Sequence, residues 1–168
     1  AASDVYKRQE EGGVSNSSKL YDANSDKNSD YKAEIYKDGS IAEKYTQVLS
    51  NIFNKSYKYE DYDRAANLFW PGNKIGHGRE DVIEKWSSIK GIFTNMKFSI
   101  EHVGFLEEPG QNPRISIRWF LEGEHSNDSD DYGKASNKKI FIMGINHAEF
   151  NNKSIVREWV LFDEVAIW

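Results

Sequence analysis

The segment Lys139–Trp168 reads KIFIMGINHAEFNNKSIVREWVLFDEVAIW, and it decides the fold class. It is two runs rich in Ile, Val, Phe and Trp, separated by the polar Asn151-Asn152-Lys153-Ser154. β-Branched and aromatic residues suit a pleated sheet, and Asn tolerates the positive backbone angles of a tight turn. The spacing therefore predicts a long antiparallel hairpin turning at Asn152-Lys153. Alternation places Asn146 on the face of Gly144 and Ala148, small residues that leave room around it, and turns His147 and Glu149 to the other side. In the second strand Glu158 shares a face with Val160 and Phe162, opposite Arg157, Trp159, Leu161 and Asp163. Only one of the two carboxylates, Glu158 or Asp163, can point inward unless a bulge shifts the alternation.

Working outward, the strands Lys97–Leu106 and Arg114–Gly123 carry the same period of two. Phe98, Ile100, His102 and Gly104 fall on one face of the first; Ile115, Ile117, Trp119 and Leu121 fall opposite Ser116, Arg118 and Phe120 in the second. Glu107–Pro113 is a turn. Glu122–Lys138 is a polar connection whose SNDSDD run lacks the central glycine and distal glutamate of a calcium loop. Upstream the period is helical. Ser40-Ile-Ala-Glu43 is a capping box, and Ile41, Tyr45, Val48, Leu49, Ile52 and Phe53 form the apolar stripe behind it. A second helix is expected over Glu60–Phe69, stopped by Pro71 and Gly72, and a third over Arg79–Lys90 with Gly91 as its cap. Trp70 to Gly78 is a glycine-rich loop presenting Trp70 and His77; its spacing matches neither a P-loop nor a dinucleotide fingerprint.

Residues 1–38, rich in Asn, Ser, Asp and Lys, read as a flexible polar tail, and residues 39–168 as one domain. The expected fold class is α+β, with three N-terminal helices packed on a strongly curved antiparallel sheet to make a cone. Such a cone leaves an apolar pocket into which a few polar side chains converge.

Composition narrows the function classes. The formal net charge is −5, and the 22 basic residues are scattered rather than clustered, which argues against a nucleic-acid surface. Absence of cysteine excludes thiolate and disulfide chemistry. No apolar run reaches the roughly 20 residues of a membrane helix, so a soluble protein is expected, cytoplasmic by default. His102, His125 and His147 lack any local metal-ligand spacing, and neither metal nor cofactor is expected.

The segments Gly76–Trp86, Phe98–Val103, Ile117–His125, Gly144-Ile145-Asn146 and Ile155–Trp159 with Phe162-Asp163 together resemble the SnoaL-like branch of the nuclear transport factor 2-like superfamily. The resemblance spans residues 40–168 and implies the cone fold. It also implies an aspartate–histidine pair moving a proton from a carbon acid, as in the family's cyclases. His125 occupies the histidine position; the aspartate position holds Asn146, which can orient a carbonyl or donate to an oxyanion but cannot accept a proton. The candidate catalytic residues are accordingly His125, Asn146, Glu158 and Asp163. Burial would raise a carboxylate's pKa toward that of a base, whereas pairing with Arg118 or Arg157 would keep it ionised. Candidate ligand-binding residues are Trp70, His77, His102, Arg118, Trp119 and Trp159. The expected ligand is a small apolar or carbonyl-containing molecule, bound with or without isomerase- or cyclase-like turnover. Phe141, Met143, Ile145, Trp159 and Leu161 on the outer face predict a homodimer through the sheet.

Overall fold

The computed structural model describes residues 39–54 and 57–168. The tail expected over residues 1–38 lies outside them. The first helix, α1 (Ile41–Asn54), starts where the capping box places it: the Glu43 N–H donates to Ser40 Oγ at 3.1 Å, and the Glu43 carboxylate accepts from the N–H of Gly39. Its apolar stripe is buried, Tyr45, Leu49 and Ile52 completely. The other helix, α2 (Gly78–Gly91), buries Val82, Trp86 and Ile89. At its start the Asp81 carboxylate accepts from the His77 N–H at 3.0 Å, satisfying an amide that no helical carbonyl reaches.

The helix expected over Glu60–Phe69 is instead a strand, β1 (Tyr62–Trp70). Its Ala and Leu suggested a helix, but burial of Ala66, Leu68 and Trp70 repeats every two residues. The backbone is claimed on both sides by neighbours, and such pairing overrides a weak helical preference. Pro71-Gly72-Asn73 does not stop a helix but turns a hairpin into β2 (Lys74–His77), with Gly72 and Asn73 at φ values of 73° and 59°. The remaining strands are β3 (Phe93–Leu106), β4 (Arg114–His125), β5 (Lys139–Phe150) and β6 (Ile155–Phe162). A one-turn 3-10 helix, Glu164–Ile167, follows β6, with Asp163 as its cap.

The strand order is β2-β1-β6-β5-β4-β3. All neighbours are antiparallel except β1 and β6, which run parallel. The fold expectation is therefore corrected on two counts. Among the described residues two α-helices, not three, accompany six strands, and the sheet is an open mixed layer with β2 and β3 as edges, not a strongly curved cone. The hairpin of β5 and β6 does form, and its turn is organised by Asn151, whose Oδ1 accepts from the N–H groups of Lys153 and Ser154 at 2.8 and 2.7 Å.

Aromatic rings occupy the space between helices and sheet. Phe53 of α1 stacks on Phe98 at 4.4 Å and meets Trp86 and Trp119 at 5.7 Å each. Trp70 continues the cluster to Trp86 at 4.9 Å and to Phe162 at 5.4 Å. Such ring pairs contribute about 0.5–1.5 kcal/mol each beyond the area they bury. Gly144 is required by this packing, since a Cβ there would stand 2.1 Å from Trp119 Cζ2.

Candidate functional site

Alternation along β5 and β6 turns Asn146 and Glu158 to the helix-covered face, where they are 0 % and 1 % exposed. Four neutral donors converge on the Glu158 carboxylate. Tyr45 Oη of α1 donates to Oε1 at 2.6 Å and Asn146 Nδ2 to the same oxygen at 2.7 Å. Tyr62 Oη of β1 donates to Oε2 at 2.8 Å, with Trp86 Nε1 of α2 at 3.3 Å. Asn146 Oδ1 in turn accepts from Trp119 Nε1 at 2.7 Å. The indole can only donate, so the amide has one orientation. Six side chains from α1, α2, β1, β4, β5 and β6 thus form one closed network, and every acceptor position of the carboxylate is taken.

Among the described residues no cation enters it. Arg157 pairs with Glu149 at 2.6 Å and Arg118 with Glu101 at 3.0 Å, both on the opposite sheet face. The salt bridge considered for the inward carboxylate is therefore not made. Burial pushes the Glu158 carboxyl above its ordinary 4.5, and the hydrogen bonds from Tyr45, Tyr62, Asn146 and Trp86 pull against that rise without cancelling it. Burial, and then the charge of Glu158, hold the Tyr45 and Tyr62 hydroxyls well above the usual phenol range. Both tyrosines therefore act as donors.

The other expected residues lie apart from this network. His125 is buried at the far end of β4, six residues beyond Trp119 and so about 20 Å along the strand. Its Nδ1 faces Ser136 Oγ at 3.5 Å. Asp163 accepts from the N–H groups of Val165 and Ala166 at 3.1 and 3.3 Å and caps the last turn. His77 sits on the exposed edge strand with Nδ1 2.7 Å from Asn67 Oδ1. Trp70 is an interior wall. His102 was expected on the face of Phe98 and Ile100, but a bulge after Ile100 pairs it with Arg118 on the outer face and turns Val103 inward. Among the described residues no three His, Asp or Glu side chains gather as a metal-binding group.

Tyr45, Tyr62 and Trp86 complete the network, although none of them is among the site residues expected from the sequence. The available signal was chemical: a stripe position filled by Tyr rather than Phe carries a hydroxyl that needs a partner when buried.

The outer face carries the second feature. Strand register aligns Gly104, Ser116, His147, Trp159 and Phe69 in one row across β3, β4, β5, β6 and β1. Trp159 and Phe69 stack at 5.0 Å, and the His147 ring meets Trp159 edge-on at 5.5 Å. With Ile145 and Leu161 they line a groove of about 480 Å³. Toward the other end of the same strands Phe141, Met143 and Leu161 are 52 %, 56 % and 67 % exposed, beside a second groove of about 510 Å³. Among the described residues no helix is long and apolar enough to cross a membrane.

No family model and no curated protein sequence matches the chain. Solved structures do. A candidate SnoaL-like polyketide cyclase from Jannaschia sp. CCS1 superposes with a TM-score of 0.59 at 11 % identity, covering 79 % of this chain and 94 % of that one. A second, from Shewanella putrefaciens CN-32, gives 0.57 at 14 % identity over 73 % and 89 %. An NTF2-like protein from Cytophaga hutchinsonii gives 0.50 at 13 % identity over 73 % and 100 %.

Proposed function

We propose that this chain, which has the SnoaL-like fold of the nuclear transport factor 2-like superfamily, is a binding module for a small, largely apolar molecule rather than a proton-transfer catalyst. The observation that carries this reading is the saturation of Glu158. A general base needs a lone pair within reach of substrate, and all four acceptor positions of this carboxylate face protein donors. The open apolar surface with an aromatic floor is instead the outer groove at Phe69 and Trp159, whose volume falls in the range of small-molecule sites. The isomerase- or cyclase-like alternative draws on the candidate cyclases that share the fold and on the raised pKa of Glu158. It requires one of the four donors to give way to substrate.

The neutral fluorophore N-phenyl-1-naphthylamine separates these readings. Saturable fluorescence enhancement that Trp159→Ala removes and Glu158→Gln preserves is the expected result. Enhancement lost in Glu158→Gln and kept in Trp159→Ala would move the site to the interior and refute the groove.

A second reading, compatible with the first, is homodimerisation through the apolar half of the same face. It is supported by the exposure of Phe141, Met143 and Leu161, large apolar side chains on one face of the β5–β6 hairpin. Light scattering is expected to give a dimer mass that Met143→Glu reduces to that of a monomer. A monomer mass for the unaltered chain across a broad concentration range would remove this reading.

A further inference from the structure

The row Gly104–Ser116–His147–Trp159–Phe69 is aromatic at one end and nearly without side chain at the other. At that small end Gly104, Ser116, Arg114 and His147 border a pit of about 310 Å³, flanked by Phe105 and Leu106. His147 borders both the pit and the aromatic groove, so the two adjoin at one imidazole. Gly104 is not imposed by the backbone, and among the described residues a Cβ there would have His102 Nε2 alone within 4 Å, at 4.0 Å. A side chain at this position would stand in the pit, and its absence keeps the pit open.

The polar groups around the pit are donors. Ser116 Oγ and His147 Nδ1 are 2.9 Å apart. If the hydroxyl donates to the ring, the other ring nitrogen carries a proton; if the ring donates, the hydroxyl proton is released. Either way the neutral pair retains one donor for a ligand. Arg114 supplies the charge, and its guanidinium already holds a carboxylate: Nη2 is 2.9 Å from Glu108 Oε2 and 3.1 Å from Gln111 Oε1. Glu108 stands on the Glu107–Pro113 turn, and both partners are partly exposed, 35 % and 44 %. An ion pair of that kind is worth little and exchanges readily. Glu149, the cross-strand neighbour of Arg114, is held on its other side by Arg157 at 2.6 Å, so among the described residues Arg114 is the cation at the pit, with Glu108 as the partner that can leave.

We propose that this pit is a carboxylate subsite, and that the ligand of the adjoining groove is a small aromatic or apolar carboxylic acid. Its carboxylate displaces Glu108 from Arg114 and accepts from the Ser116–His147 pair; its apolar body lies over Trp159 and Phe69. This rests on the groove reading above and adds the head group to it.

The test uses phenylacetate, with uncharged 2-phenylethanol as the matched control, and follows backbone amide NMR shifts of Gly104, Ser116, His147 and Trp159. Phenylacetate is expected to shift all four saturably and to bind roughly tenfold or more tighter than the alcohol, the factor a charge-assisted hydrogen bond supplies. Arg114→Gln is expected to erase that preference. Glu108→Gln, which removes the competing carboxylate, is expected to tighten phenylacetate a few-fold. Gly104→Leu is expected to fill the pit and abolish the shifts at Ser116 while leaving the unfolding midpoint close to that of the parent chain. Equal affinity for the two probes, or phenylacetate binding indifferent to Arg114→Gln and Gly104→Leu, overturns the subsite while shifts at Trp159 leave the apolar groove standing. Absence of saturable shifts with either probe overturns the subsite and the groove together.

Discussion

Replacing Tyr62 by Phe removes one hydroxyl from the buried network and little else, because the ring keeps its place in the core. The lost bond is 2.8 Å long and ends on Glu158 Oε2, whose other donor, Trp86, is more distant at 3.3 Å. A hydrogen bond to a charged group contributes about 1.5–3 kcal/mol, against about 1 kcal/mol for a neutral one. The magnitude therefore depends on the charge of Glu158, and pH controls it. The carboxyl is raised above its ordinary 4.5 in the fold. Its contribution to stability is fully present below that ordinary value and is lost as pH rises through the folded value. The Tyr62 bond opposes the rise, so Tyr62→Phe raises the carboxyl further and moves the loss to lower stability at every pH above the ordinary value. Urea unfolding measured in steps from about pH 4 to about pH 9 should show a penalty that starts small and grows with pH. At a slope of about 2 kcal/mol per molar urea, the full effect shifts the midpoint by about 1 M. Glu158→Gln is the control: with no carboxylate to ionise, the penalty for Tyr62→Phe should become independent of pH. A penalty in the unaltered background that is equal at both ends of the series would refute the assignment of Glu158 as the interior anion that Tyr62 serves.

Two further substitutions check the frame around the network. Gly144→Ala places a methyl 2.1 Å from Trp119 Cζ2, and the indole cannot retreat without breaking its 2.7 Å bond to Asn146. Overpacking at about 1–3 kcal/mol plus an orphaned buried acceptor at a similar cost should lower stability by about 2–6 kcal/mol in denaturant unfolding, and Trp119→Phe should relieve the overpacking part alone, since it leaves the Asn146 acceptor without its donor; a change under about 0.5 kcal/mol would refute the contact between Gly144 and the indole. Asn151→Ala removes the acceptor that ties Lys153 and Ser154 into the β5–β6 turn, and should cost about 1–2 kcal/mol without altering either outer groove, a separation that thermal unfolding and probe titration together would test.

Much of the site was legible because strand alternation is a local property. Asn146 follows Gly144 by two residues, so its inward face and the outward set Phe141, Met143, Ile145 and Leu161 could be read from spacing, whereas spacing only set Glu158 and Asp163 on opposite faces and burial of β6 shows that Glu158 is the inward one. Where alternation is interrupted the reading failed. The bulge after Ile100 carries His102 to the outer face, and a one-residue insertion leaves no mark in composition. Tyr62–Trp70 failed for a different reason: its residues favour a helix weakly, and only the flanking β2 and β6 make it a strand.

By itself, then, the amino-acid sequence determined the β5–β6 hairpin, the start of α1, the inward direction of Asn146, and that Glu158 and Asp163 lie on opposite faces, because each depends on neighbours a few residues away; which of the two carboxylates is inward was left to the tertiary structure. The tertiary structure alone decided what Glu158 meets. Tyr45 is 113 residues distant, Tyr62 is 96 and Trp86 is 72, and their hydroxyls and indole N–H become partners only when two helices close over the sheet and β1 pairs in parallel beside β6. The same closure chose saturation by neutral donors over an arginine: Arg157 is the immediate neighbour of Glu158 in sequence, and the pleat that turns one residue in turns the next one out.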